Sequence, residues 1–298
     1  MAAPQVPVYS YSPMIRILGT IFAGLLGLAF GSFLNVCLSR WPEGESVVAP
    51  RSHCRNCTHT LSWWENIPLF SWLALRGRCR NCHAWIGVRY PLVELAVGAQ
   101  WATVAWHSYN AFFPLEFAAG MMLFAWLLVG LAVLDAEHLW LPDALTLPGI
   151  ALGFCWWFLQ GEQIGWALHL PNIPWVDAKN AGNRLLAILA AAGLILLIRW
   201  VYWLIRRREG VGLGDAKLMA LLAAWLGLPG ALLAFGLGVV LGALAAVVLL
   251  AIPSSPQARP ENWAASKLPL GTFLCIGGIV SGLWGQQIIA AYLRWAGF

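Results

Sequence analysis

The chain has 298 residues, of which 60% are hydrophobic and only 10% charged, with 19 Trp and a mean hydropathy of +0.71. A water-soluble core of this size does not need so much apolar surface, so composition excludes a soluble globular protein and points to a polytopic membrane protein. The net charge of +5 belongs with topology and contact with anionic lipid, and not with a nucleic-acid surface.

Eight apolar windows approach the length that crosses a hydrocarbon layer about 30 Å thick. They fall at 15–38, 92–107, 113–134, 144–159, 185–205, 215–228, 231–252 and 270–293, the sixth being short. The predicted fold is all-α, with about eight transmembrane helices. Arg40-Trp-Pro follows the first run where a cleaved signal peptide would have small residues, so 1–39 reads as a retained span. Residues 40–90 form a polar insert, and 91–298 carry the remaining spans. Under this scheme only Arg16, Lys179, Arg184 and Arg294 of the 18 Lys and Arg lie on one side. The positive-inside rule then places the insert and the run Arg206-Arg207-Arg208 in the cytoplasm, with both termini outside. Residues 161–183 read as an external loop and 253–267 as a cytoplasmic one.

The insert holds a duplicated tetrapeptide, Cys54-Arg-Asn-Cys57 and Cys79-Arg-Asn-Cys82. Two short cysteine turns separated in this way are the pattern of a four-thiolate zinc site, structural because four sulfurs leave no position for water. A segment this short buries little core, which gives a metal staple an energetic role. Two disulfides are the alternative, disfavoured in a reducing cytoplasm. His53, His59 and His83 flank the turns as polar surface residues, and Cys37, Cys155 and Cys275 lie in apolar runs as small hydrophobes.

Asp135 closes the third window, and Asp215 stands in Gly212-Leu-Gly-Asp-Ala-Lys217 at the start of the sixth. Acids at span ends in so apolar a chain read as functional, and both fall at the predicted cytoplasmic interface. If the third and sixth spans pack together, close approach splits the ionisation: one carboxylate is charged, the other keeps a proton, and the pair activates water. Asp215, at a helix start, is the expected base. The plain reading of Asp215 is an ordinary N-cap and that of Asp135 an interfacial residue closing its span, while capping is the favoured reading for Asp143.

With these residues in place, the chain resembles the type IV prepilin leader peptidases, bifunctional membrane enzymes of bacterial pilus and type II secretion systems. The resemblance runs through Gly31-Ser-Phe-Leu-Asn-Val36 with Arg40, the cysteine turns, Trp64-Glu-Asn-Ile-Pro68, Leu75-Arg-Gly-Arg-Cys79 and Arg89-Tyr-Pro-Leu-Val-Glu94. It continues through Asp135 with Leu141-Pro-Asp143, and Gly212-Leu-Gly-Asp-Ala-Lys-Leu218. It implies an aspartic peptidase of the bacterial inner membrane, with its active site facing the cytoplasm, that removes the basic leader of prepilins and pseudopilins. It also implies methylation of the new N-terminal amine with S-adenosylmethionine. By position, Asp135 and Asp215 become the catalytic pair and Cys54, Cys57, Cys79 and Cys82 the zinc ligands. Arg55 departs from the family, many of whose members have proline there.

No Gly-rich nucleotide loop is present to hold the methyl donor. The candidates are polar groups set in apolar surroundings beside the insert: Asn35, Arg40, Arg89 and Glu94. An ion pair of Glu94 with Arg40 or Arg89 is the structural alternative, and Asn35 is equally read as a helix-to-helix hydrogen bond. Glycines between 19 and 31 and between 236 and 242 read as close helix contacts. A proton-coupled transporter and a non-enzymatic assembly scaffold are the competing functional classes.

Overall fold

The computed structural model describes residues 12–111, 115–165, 181–208, 210–251 and 268–297, with side chains at 110–111 and 159–165 left out. The expected loop at 253–267 and most of that at 161–183 lie outside the described residues. Those described form eight α-helices: α1 (Pro13–Arg40), α2 (Phe70–Ala74), α3 (Arg89–Ala111), α4 (Leu115–His138), α5 (Asp143–Gly165), α6 (Ala181–Arg206), α7 (Leu213–Ala251) and α8 (Leu270–Trp295). Two 3-10 turns, Trp41–Glu43 and Trp63–Asn66, lie within the insert, and the described residues contain no strand beyond two isolated bridges.

Five helices, α1, α4, α6, α7 and α8, are long and apolar enough to cross a membrane. The apolar part of α5, Asp143–Phe158, is shorter, and α3 is interrupted by polar residues such as Glu94 and Gln100. The sixth and seventh sequence windows run together as α7, broken at Gly227, whose φ of 74° and ψ of 175° are not helical. Gly tolerates that backbone, and Pro229 just beyond removes a helical donor.

The chain divides into two compact units, Met1–Val129 and Gly130–Phe298. In the first, Ser12 caps α1 by accepting from the Ile15 N–H at 3.3 Å, with Pro13 in the first turn. The buried stripe of α1 includes Gly27, Gly31, Leu34 and Leu38 and packs on α3. A Cβ on Gly27 would lie 2.9 Å from Gly98 Cα, and one on Gly31 2.7 Å from Glu94 Cα. The glycines therefore let two backbones approach as side chains would not allow.

In the second unit the first part of α7 is the core: Leu218, Met219, Leu221, Leu222, Ala223 and Ala224 are fully buried. The helices α5, α6 and α8 pack around α7. Trp225 donates from Nε1 to the Gly149 carbonyl of α5 at 2.9 Å, and Arg184 of α6 to the Ala223 carbonyl at 3.3 Å. Beyond the break, small residues again set the spacing, since a Cβ on Gly277 of α8 would meet the Ala234 carbonyl oxygen.

Candidate functional site

Asp135 lies in the last turn of α4, which ends when Leu139 adopts a left-handed conformation (φ 51°) and its N–H closes on the Asp135 carbonyl at 2.9 Å. Its carboxylate is buried and points at the start of α8. Oδ2 accepts the Thr272 N–H at 2.7 Å and lies 3.2 Å from the Thr272 hydroxyl, which is also 2.9 Å from the Ala132 carbonyl. Unpaired N–H groups of a first helical turn form a natural anion cradle. The fit is tight: a Cβ on Gly271 would fall 2.9 Å from Asp135 Cγ and 3.0 Å from Leu141 Cδ1.

Asp215 is in the first turn of α7 and is also buried. Its Oδ2 accepts the Gly212 N–H at 3.1 Å, a reach back across the helix start that secures the loop entering α7. Asp135 and Asp215 are close enough for the charge of one to act on the other, and both act on buried Cys275 of α8. Leu141 also closes against Gly214, whose notional Cβ would lie 3.1 Å from Leu141 Cβ. One leucine thus abuts the backbone beside each acid. Just after Asp215, Lys217 pairs with Asp143, tying α7 to α5.

In the first unit the four cysteine sulfurs lie within 4.8 Å of one another. Sγ of Cys54 is 3.8 Å from that of Cys82, and Sγ of Cys57 is 4.0 Å from that of Cys79. A tetrahedron with metal–sulfur bonds of about 2.3 Å has edges of roughly 3.8 Å, so the set fits a four-thiolate cation site. The duplicated sequence gives duplicated geometry. The Cys54 N–H donates to the His59 carbonyl and the Cys79 N–H to the Ala84 carbonyl, both at 2.9 Å, and Thr58 and His83 both take φ 56°. Asn56 donates to Cys82 Sγ and Asn81 to Cys57 Sγ, each at 3.6 Å. The thiols alone are unevenly matched. The Asn56 amide, helped by the Ala84 N–H, draws Cys82 down to about 6, while burial pushes Cys54 up to about 11. A cation bound by all four removes that conflict. Arg55, the departure noted in sequence, reaches the Ser39 carbonyl at 2.6 Å and Glu43 at 3.6 Å, tying the first knuckle to the end of α1.

Beside the cysteines is a cavity of about 700 Å³, lined in part by Asn35, Arg40, Glu65, Trp72, Tyr90 and Glu94. Asn35 donates from Nδ2 to the Tyr90 carbonyl at 2.9 Å, joining α1 to α3. Arg40 is turned onto the loop, donating to the carbonyls of Ser46 and Pro50, each at 2.7 Å. Glu94 accepts the Leu69 N–H at 2.8 Å. Arg89 stacks on Tyr90, 4.8 Å above its ring.

Residues 25–108 match the bacterial peptidase A24 N-terminal domain, and 122–247 match the type IV leader peptidase family. The chain is 36% identical over 298 aligned positions to a prepilin leader peptidase/N-methyltransferase of Stutzerimonas stutzeri, covering 91% of this chain and 93% of that one. The chain belongs to the type IV leader peptidase family. A second member, from Pseudomonas aeruginosa, is 36% identical over 99% of both chains, and a third, from Aeromonas hydrophila, is 33% identical over 90% of this chain and 92% of its own. Both relatives bear the same name. No solved structure matches the chain.

Within this leader peptidase the first match encloses the four cysteines and the cavity, and the second encloses both aspartates. The grip of Gly271 and Thr272 on Asp135 lies beyond both matched stretches, and sequence reasoning missed it. The same reasoning passed over Glu65, buried at the cavity wall, although it stands within Trp64-Glu-Asn-Ile-Pro68. The capping pattern Ser62-x-x-Glu65 was the available signal: Glu65 Oε2 accepts the Ser62 N–H at 2.8 Å.

Proposed function

We propose that this chain removes the leader of type IV prepilins and pseudopilins at the cytoplasmic edge of the inner membrane and then N-methylates the exposed amine. The observation that carries the reading is the convergence of two buried carboxylates, Asp135 from the end of α4 and Asp215 from the start of α7. One carboxylate, ionised, takes a proton from water while the other, protonated, hydrogen-bonds the scissile carbonyl oxygen. The water oxygen bonds to the carbonyl carbon, the peptide C–N bond breaks, and the amine leaves with a proton from the pair. Thr272 and Gly212 hold the two Oδ2 atoms in place, which fixes the reacting geometry.

The four thiolates are assigned to one structural zinc that shapes residues 40–90. Asn35, Arg40, Arg89 and Glu94 are assigned to the methyl-donor region, Asn35, Arg40 and Glu94 lining the cavity and Arg89 stacking on Tyr90 of its lining. The chemistry S-adenosylmethionine supplies is an electrophilic methyl on sulfur, accepted by the amine nitrogen as the carbon–sulfur pair remains on sulfur. Eight spans, with the break at Gly227 separating the sixth from the seventh, put both termini outside and the aspartates at the cytoplasmic rim, in contact with lipid. A transporter would need its acids near the bilayer midplane, and Asp135 and Asp215 sit at helix ends.

Asp135→Asn and Asp215→Asn each lower leader removal by at least about 10²-fold in purified protein. The check is mass spectrometry of a prepilin substrate, with metal content confirming an intact fold. Cleavage near the wild-type rate in both variants overturns the peptidase assignment and leaves a scaffold.

A further inference from the structure

Among the described residues of the first unit, four buried side-chain oxygens have no hydrogen-bond partner, Thr20 Oγ1, Asn35 Oδ1, Glu65 Oε1 and Gln100 Oε1, and two of these, Asn35 Oδ1 and Glu65 Oε1, belong to residues that line the 700 Å³ cavity. Asn35 is 3% exposed and Glu65 6%. Neither can turn away. The Asn35 amide is oriented by Nδ2 donating to the Tyr90 carbonyl, and Glu65 is held by Oε2 on the Ser62 N–H with His59 Nε2 at 3.5 Å. Buried acceptors without donors are costly and rare, so a pair of them on one cavity marks where a ligand's donors go.

The rest of the lining narrows the ligand. The lining holds three arginines: Arg40 and Arg55 are engaged with backbone carbonyls of the insert and of α1, and Arg80 stacks on Trp64, 4.8 Å from the ring centroid. The lining includes the carboxylates of Glu43, Glu45, Glu65 and Glu94, and the rings of Trp72, Trp85 and Tyr90. Such a wall favours a molecule with an ammonium or other cationic end, hydroxyl donors and a flat ring system. The volume is in the range of small-molecule sites.

We propose that this cavity is the methyl-donor site, with Glu65 Oε1 receiving the donor's α-ammonium and Asn35 Oδ1 a second donor group of the same molecule. The inference rests on the methyltransferase half of the proposed function and adds Glu65 to its residues. The charge that an ammonium would meet is secured locally, since the Ser62 N–H on the Glu65 carboxylate holds it below the usual carboxylate range.

The test uses the full-length, metal-loaded chain in detergent and measures binding by calorimetry. Glu65→Gln preserves the cap on Ser62 but removes the charge. It should weaken S-adenosylmethionine about tenfold or more and leave 5′-methylthioadenosine, which lacks the amino-acid end, within about twofold. Unchanged affinity for S-adenosylmethionine in Glu65→Gln overturns the role of Glu65 while leaving the methyltransferase reading intact. Equal weakening of both ligands also overturns it, because the effect is then structural. If the wild-type chain binds no S-adenosylmethionine, the methyltransferase reading falls and the cavity assignment with it. Ultraviolet cross-linking of labelled S-adenosylmethionine to the wild-type chain, which needs no variant, should mark the peptides holding Trp72 or Tyr90; label confined to residues 130–298 rejects the cavity.

Discussion

Thr272 shows how firmly a proposed catalytic acid can be held by a neighbour that does no chemistry. Its N–H and hydroxyl both address Asp135 Oδ2, so Thr272→Val keeps the backbone bond and loses the hydroxyl. Leader removal should fall about tenfold in this variant and recover in Thr272→Ser, measured as initial cleavage rates. Gly271→Ala is the harsher change, because its Cβ would press on Asp135 Cγ and Leu141 Cδ1. A displacement of that size at a reacting group lowers cleavage by about 10²-fold. The acids themselves were legible in sequence, since a carboxylate at the end of an apolar run stands out. The donors on Asp135 were not, because they are ordinary residues of a helix start far along the chain, and a helix start offers anion-binding N–H groups whatever its side chains. The same holds for Asn35. Its choice as a methyl-donor candidate rested on polarity in apolar surroundings, but only packing reveals that its amide is half satisfied.

Among the elements, α7 departs most from the sequence reading. Hydropathy separates the windows at 215–228 and 231–252, and the break between them comes down to a single residue, Gly227 at φ 74°. Arg184 of α6 closes over it, with Nη1 2.8 Å from where a Cβ would sit. Gly227→Ala should therefore cost about 1–3 kcal/mol from a positive-φ, extended backbone that is nearly restricted to glycine, more with the displaced arginine, read as a lower thermal midpoint in detergent. The cysteine knuckles were the opposite case. Their repeat was visible in sequence, and the structure reproduces it down to matching N–H bonds and matching left-handed residues. If the cysteines hold the proposed metal, removing it with a chelator under reducing conditions should open residues 40–90 to protease at Arg51 to Arg80 while the long helices persist, followed by limited proteolysis and circular dichroism.

For the molecule as a whole, hydropathy predicted helices and a membrane, and the chain is helical with five helices long enough to span one. The helices α3 and α5 fall short of that criterion because they carry polar residues within or beside their apolar stretches, which dilutes the signal that composition gives so clearly for α4. Charge distribution favours the proposed orientation, under which alkaline phosphatase fused after Phe298 should be active outside the cytoplasm. An inactive fusion that is nonetheless stably made would reverse the assigned topology.

The crossed amides of the two knuckles, Asn56 on the sulfur of Cys82 and Asn81 on that of Cys57, have a consequence for how such a repeat can change over time. Each half donates to a sulfur of the other, so losing either amide disturbs a cysteine held by the opposite loop. The repeat thus works as a reciprocal clasp, closed by its two asparagines.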